Sequence, residues 1–367
     1  MNQTKNMSKH NKNIRILIGT AGIVAILMII FWAMLLEGEN ASRVWRAFLI
    51  NYLFFTSLAA GLVVWPAIIT VAGGDWMGYL EKICWAGFSF SVPSLLALII
   101  LWIGLESWVP WLESEAHQAW WLKNTFLFSR NMIMQIIFWF LAWLFLKKRF
   151  SFRKHIYGAW LAFIYAITFS LVGFDFIMPL ETEWKSMVVG GYFFISGLYI
   201  AAAAWAFISI INGKTDTKIL RTIGKLVFTF CLLTTYLMMS QLLPTWYGNQ
   251  PHEVNFLVPR MNLSWVSISQ LLLLMVYLGP IPLLVSGWSK RKPVFLGVVT
   301  AIILAGMWIE RWWLVSAVFE EHEVLYGWPE IAPSIAFLAL LIAGIAYGMR
   351  KIRSEEHTSE LQSPSAI

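Results

Sequence analysis

The sequence predicts an all-α integral membrane protein with about ten transmembrane helices, and three observations carry that expectation. Of its 367 residues 59% are hydrophobic and 13% charged, with 22 Trp and 26 Phe, far from the roughly 25% charged residues of soluble domains. Ten apolar runs recur along it, each near the roughly 20 residues a helix needs to cross a bilayer. Its Lys and Arg residues gather in short clusters between those runs, as determinants of membrane orientation do. That clustering also explains the net charge of +7 without nucleic acid, whose binding needs cations along one face.

Taken in order, residues 1–15 carry Lys5, Lys9, Lys12 and Arg15 ahead of an apolar run from Ile16 to Leu36. The run is longer than the roughly 7 to 15 residues of a signal-peptide core, and no small-residue cleavage site follows. It is read as a retained, peripheral first span (16–36). Spans two to five are Trp45 to Val71, Ile83 to Leu105, Asn124 to Leu146 and Ile156 to Met178, forming a first four-helix bundle (45–178). Spans six to nine are Met187 to Ile211, Thr222 to Leu243, Asn262 to Ser286 and Val294 to Leu314, forming a second (187–314). Ile331 to Tyr347 is a peripheral tenth helix (331–350).

With a cytoplasmic N-terminus, the inside segments hold nineteen cations: the four above, Lys82, Lys147, Lys148, Arg149, Arg153, Lys154, Lys214, Lys218, Arg221, Lys225, Lys290, Arg291, Lys292, Arg350 and Lys351. The outside segments hold seven, Arg43, Arg46, Lys123, Arg130, Lys185, Arg260 and Arg311, and are crowded with Glu113, Glu115, Glu181, Glu183, Glu320, Glu321 and Glu323. This asymmetry predicts both termini inside. The stretch from Arg353 (353–367) changes composition abruptly and reads as a translated sequencing-adapter remnant; a short disordered cytoplasmic tail is the alternative.

A weak internal repeat accompanies the count. Tyr52, Phe54, Phe55 and Trp65 in span two are matched about 140 positions later by Tyr192, Phe193, Phe194 and Trp205 in span six. Spans four apart run in the same direction, so a parallel duplication of a four-helix unit would superpose them. Coincidence in so aromatic a chain is the rival explanation.

Chemistry is scarce at mid-span. Cys84 and Cys231 are too few to hold an iron–sulfur cluster, and His10, His117, His155, His252, His322 and His357 all avoid the span centres, which excludes an intramembrane bis-histidine haem. A charged midplane transport site is disfavoured for the same reason. The ionisable residues instead collect near the outer ends of spans: Glu106, Lys123, Arg130, Asp175, Arg260, Glu310 and Arg311. Antiparallel packing of spans four and five would set Asp175 against Arg130. Boundary residues that snorkel or pair are the plain explanation for each alone. Together they suit a lipid-open pocket with Trp and Phe walls and a few polar groups at one end, the chemistry a quinone needs, with Asp175 placed to accept a proton.

The segment Ser240 to Arg260, SQLLPTWYGNQPHEVNFLVPR, is the most unusual stretch; its prolines, with Trp246, Tyr247 and nearby Trp265 as residues that settle at membrane–water interfaces, predict an ordered loop at the outer surface. With FDFIMPLETEW (Phe174 to Trp184) and IGKLVFTF (Ile223 to Phe230) it resembles quinone-binding subunit 2, the F-type subunit, of alternative complex III, within the NrfD-like membrane anchors of polysulfide-reductase-type enzymes. Ser240, Gln241, Trp246, Tyr247, Gly248, Asn249, Pro251, Glu253 and Arg260 match that pattern, whereas His252 stands where a Glu is usual.

The resemblance implies a subunit of a bacterial inner-membrane quinol:cytochrome c oxidoreductase with no redox centre of its own. Quinone or quinol, menaquinone in particular, would be the cofactor. A sister NrfD-like subunit, iron–sulfur and c-type haem subunits on the outer side and the lipid bilayer would be the partners. The site residues expected are Asp175 and Glu253 as proton-handling groups, Arg130, Arg260, Tyr247 and Trp246 as quinone-binding groups, and no metal ligands. A non-catalytic anchor or proton-conducting scaffold in such a complex is the other reading.

Overall fold

A computed structural model describes residues 2–361 except 39, 113–119, 149–150, 152, 183, 214–215 and 321–322; side chains are also undescribed at 2–12, 79, 112, 251–252, 263 and 352–361. Glu113, Glu115, Glu183, Glu321, Arg149 and Lys214 of the charge pattern, and the side chains of the 353–367 tail, lie outside the described residues.

Among the described residues, ten helices are long and apolar enough to cross a membrane. They are α1 (Asn2–Leu35), α2 (Ala41–Val71), α3 (Glu81–Ile103), α4 (Asn124–Lys147), α5 (Lys154–Phe176), α6 (Val188–Ile211), α7 (Thr217–Gly248), α8 (Ser264–Val285), α9 (Pro293–Ser316) and α10 (Trp328–Leu361). All-α architecture follows from the solvent: in hydrocarbon, backbone groups need partners within the segment, which a helix supplies.

The most apolar window of α2 is 100% buried, whereas that of α1 is 11% buried. Helix α2 is the central post, packed on α5, α6, α9 and α10, and α1 rests mainly on α10. The pairings recur at an interval of four helices: α2 with α3 and α5 is echoed by α6 with α7 and α9, and α4 with α5 by α8 with α9. The α2–α6 crossing is built from small residues 140 positions apart. A Cβ on Gly61 would lie 2.6 Å from Ala201 Cβ, and one on Gly197 would lie 3.4 Å from Ser57 Cβ.

Two local expectations are corrected. Helix α7 does not end before Pro244 but runs through it to Gly248, with Asn249 in the left-handed region at φ 45°. The missing proline N–H orphans one carbonyl near the exposed end of the helix, a loss the remaining bonds of a long helix tolerate. Only the remainder of the stretch is loop, and it contains short helical turns at Pro251–Val254 and Val258–Met261. Trp265, expected at the membrane surface, is wholly buried; its indole N–H donates to the Glu320 carbonyl at 2.6 Å.

Helix α8 is broken at membrane depth. It passes through a π-helical turn at Leu273–Tyr277 before the Gly279-Pro280-Ile281-Pro282 run. Pro280 has no N–H for the Val276 carbonyl four residues back, and the Tyr199 hydroxyl supplies a donor at 3.1 Å instead. The Cys231 thiol also reaches the Val276 and Tyr277 carbonyls, each at 3.5 Å.

Candidate functional site

Four of the buried ionisable residues, Asp175, Arg260, Glu310 and Arg311, fall into two clusters, one in each half of the chain. The first lies between α4 and α5, which pack as an antiparallel pair. Arg130 Nη2 lies 2.6 Å from Asp175 Oδ1 and Arg130 Nε 3.1 Å from Oδ2. Asn131 Nδ2 donates to Oδ2 at 2.6 Å, and Trp121 Nε1 to Oδ1 at 3.1 Å. Four donors therefore fill the roughly four lone-pair sites of this fully buried carboxylate. These bonds fix Asp175 against Arg130 and orient the guanidinium.

Arg130 is stacked over Trp121 at 3.6 Å and lies 4.8 Å from the centroid of Phe126. Trp120, 64% exposed, packs against both aromatics with ring centroids 5.5 and 5.3 Å away. Arg130 Nη1 is buried without a hydrogen-bond partner among the described residues. One turn deeper on α4, Gln135 donates to the Tyr52 hydroxyl.

The second cluster joins α6, α8 and α9. Glu310 and Arg311 are both 0% exposed. Glu310 Oε1 accepts from the Tyr192 hydroxyl at 2.5 Å, and Oε2 from Arg311 Nη1 at 2.7 Å. The Tyr192 hydroxyl also lies 2.9 Å from that of Tyr277, the last residue of the π-helical turn. Arg311 Nη2 donates to Ser196 Oγ at 2.6 Å, with its guanidinium 4.5 Å from the Phe193 centroid. Unlike Asp175, Glu310 keeps one lone pair free on each oxygen, and Tyr277, Tyr192 and Glu310 form an unbroken run of groups that can pass a proton.

Arg260 closes this second cluster from outside. It is 1% exposed, donates through Nη1 to the Phe256 carbonyl and through Nη2 to that of Leu314 at 2.9 Å, and lies 3.8 Å from the Phe256 ring centroid. Burial lowers its pKa to about 9, opposed by the charges of Glu181 and Glu310. It remains a cation at neutral pH.

Of the residues expected from sequence, Arg130 and Asp175 come together in the first cluster and Arg260 joins the second. Trp246 and Tyr247, 62% and 81% exposed at the end of α7, join neither, and no contact places Glu253 in either. The sequence reading set Glu310 and Arg311 at the closing edge of a span and did not select them; they lie within α9, walled in. Tyr192, Tyr277, Ser196, Asn131 and Trp121 were also missed as site residues. The adjacent Glu-Arg pair inside the aromatic run Trp308 to Trp313 was the available signal, since ionisable groups within a span are costly unless partnered.

Among the described residues no group of three or more His, Cys, Asp or Glu side chains could hold a metal ion. A quinone headgroup fits the first cluster, where an unspent guanidinium N–H lies beside an aromatic rim. It does not fit the second, which is closed on every side. No protein-family model matches the chain, and the search of curated proteins finds no match.

Proposed function

We propose that this chain is the metal-free membrane subunit of a bacterial respiratory quinol:electron-acceptor oxidoreductase of the alternative complex III type, with two four-helix bundles related by parallel duplication and both termini cytoplasmic. Arg130 carries the reading: a buried arginine, fixed by Asp175, with one donor unspent beside Trp120, Trp121 and Phe126. That combination suits a flat ring with carbonyl oxygens. A quinol, when bound, supplies two electrons and two protons; the electrons leave through other subunits.

The chain's own part divides between the clusters. Arg130 binds and orients the headgroup, and Asp175 positions Arg130. Glu310 is the proton-holding group of the other half, linked to Tyr277 through Tyr192. The sealed state of that second cluster also favours the alternative of a non-catalytic anchor, in which Glu310 and Arg311 only hold helices together.

Tryptophan quenching by a short-chain quinone analogue tests the proposal on the intact assembly. The expected result is saturable quenching in the wild type, weakened in Arg130→Gln and in Asp175→Asn. Equal, non-saturable quenching in all three would leave only the anchor. Mild-detergent purification that recovered no iron–sulfur or haem-bearing subunit would remove the respiratory assignment altogether.

A further inference from the structure

Among the described residues, the cations assigned to the inner side by the charge pattern are mostly exposed, as orientation determinants can be. Lys290 is different: only 6% of it is exposed. It lies in the short connection between α8 and α9, packed on α7, with its Cγ 3.0 Å from where a Cβ on Gly224 would be. Its ammonium donates to the Leu284 and Val285 carbonyls, 2.5 and 3.1 Å away, at the end of α8. Caps of this kind satisfy orphan carbonyls and the negative helix end, but they leave the net charge in place.

The groups around Lys290 add to that charge. Arg221 and Lys225 lie on the same face of α7, four residues apart, and Arg221 Nη2 lies 3.8 Å from the Cβ position of Gly287 in the connection. Arg221 is half-buried, and its Nε is buried with no hydrogen-bond partner among the described residues. Burial, then the charges of Arg221 and Lys225, lower the Lys290 pKa, with no carboxylate among the described residues offsetting them. Asp216, the acid at the start of α7, is exposed and caps the helix by accepting from the Lys218 N–H at 2.8 Å. Trp288, 61% exposed, flanks the group, with Lys292 Nζ 6.0 Å from its ring centroid.

Orientation needs exposed cations only. Burying one cation beside two others with no counter-anion is unfavourable unless an anion completes the set. We propose that the notch formed by Arg221, Lys225 and Lys290 binds the phosphate of an anionic membrane phospholipid, with Trp288 at the level of the headgroups. Arg221 supplies the unspent Nε–H and a planar fork suited to phosphate oxygens. Lys225 supplies a mobile ammonium, and Lys290 ties the notch to the end of α8. The acyl chains lie along the lipid-facing side of α7. This inference is independent of the respiratory assignment.

The test uses the full chain, delipidated in neutral detergent and titrated with phosphatidylglycerol, phosphatidylcholine or inorganic phosphate while thermal unfolding and lipid retention by native mass spectrometry are followed. Phosphatidylglycerol is expected to bind and raise Tm, whereas phosphatidylcholine is not. Lys225→Gln, an exposed site that leaves packing alone, is expected to weaken binding about fivefold, and Arg221→Gln by at least as much. Lys147→Gln, at the end of α4, is expected to change nothing. Equal binding in wild type and both notch variants would overturn the site. Full stabilisation by inorganic phosphate alone would overturn its assignment to a lipid.

Discussion

At the scale of single residues, the acids of the two clusters are one saturated and one unsaturated. Asp175 receives four donors, whereas Glu310 receives two. The first arrangement fixes a guanidinium; the second leaves room for a proton. Because Arg311 has no exposure at all, loss of its acid partner strands a charge. Glu310→Gln is therefore expected to cost about 3–5 kcal/mol, and the double variant Glu310→Gln with Arg311→Met much less, since removing both charges removes the need for either. Thermal unfolding in detergent would check this; equal destabilisation of the two variants would contradict it. The Arg130–Asp175 pair was legible before the structure, because adjacent antiparallel spans place their facing ends together. The Tyr192–Glu310 contact was not, because it links helices separated by 118 positions.

At the scale of elements, the break in α8 matters most. The π-helical turn and two prolines remove regular bonds, and side chains of α6 and α7 replace them. The same turn carries Tyr277 to Tyr192, so the irregular backbone and the second cluster are one construction, as π-bulges at functional positions often are. Gly279 is required there: an added Cβ would stand 1.9 Å from the Leu274 carbonyl oxygen. Gly279→Ala is expected to lower stability by more than the roughly 1–3 kcal/mol of ordinary overpacking. Gly191→Ala, whose Cβ would meet nothing within 4 Å, is expected to leave Tm unchanged. Comparable losses in both would show that helix α8 can relax around the clash. The sequence reading carries span eight unbroken through the Gly-Pro-Ile-Pro run; the break and what repairs it belong to the packing of α8 on α6 and α7.

At the scale of the whole molecule, the asymmetry of charge is sharper than the cation count suggested. Five of the seven cations assigned to the outer side, Arg43, Arg46, Arg130, Arg260 and Arg311, are internal or paired: Arg43 with Glu330 at 2.7 Å, Arg46 near Glu320 at 3.9 Å, and the others in the two clusters. Lys123 and Lys185 are the exposed ones. Few outer cations therefore oppose orientation, and an even number of crossings puts both ends on one side. Green fluorescent protein fused at either terminus is expected to fluoresce, and a periplasm-dependent phosphatase fused at the same positions to be inactive. Phosphatase activity at either end would reverse the orientation or change the number of spans.

What the sequence determined by itself was about ten apolar helices long enough to cross a membrane, with their approximate limits, and an expectation for the side of each end. Those properties are linear: each helix satisfies its own backbone, so hydropathy and charge along the chain suffice. The repeat at 140 positions was also visible, as a pattern of aromatics. Only the tertiary structure decided that its equivalent residues Ser57, Gly61, Gly197 and Ala201 meet at the α2–α6 crossing. It also decided that Trp246 and Tyr247 face outward, and that Glu310 and Arg311 are sealed beside Tyr192. The burial and partners of an ionisable group depend on which distant helices surround it, and no spacing along one span records that.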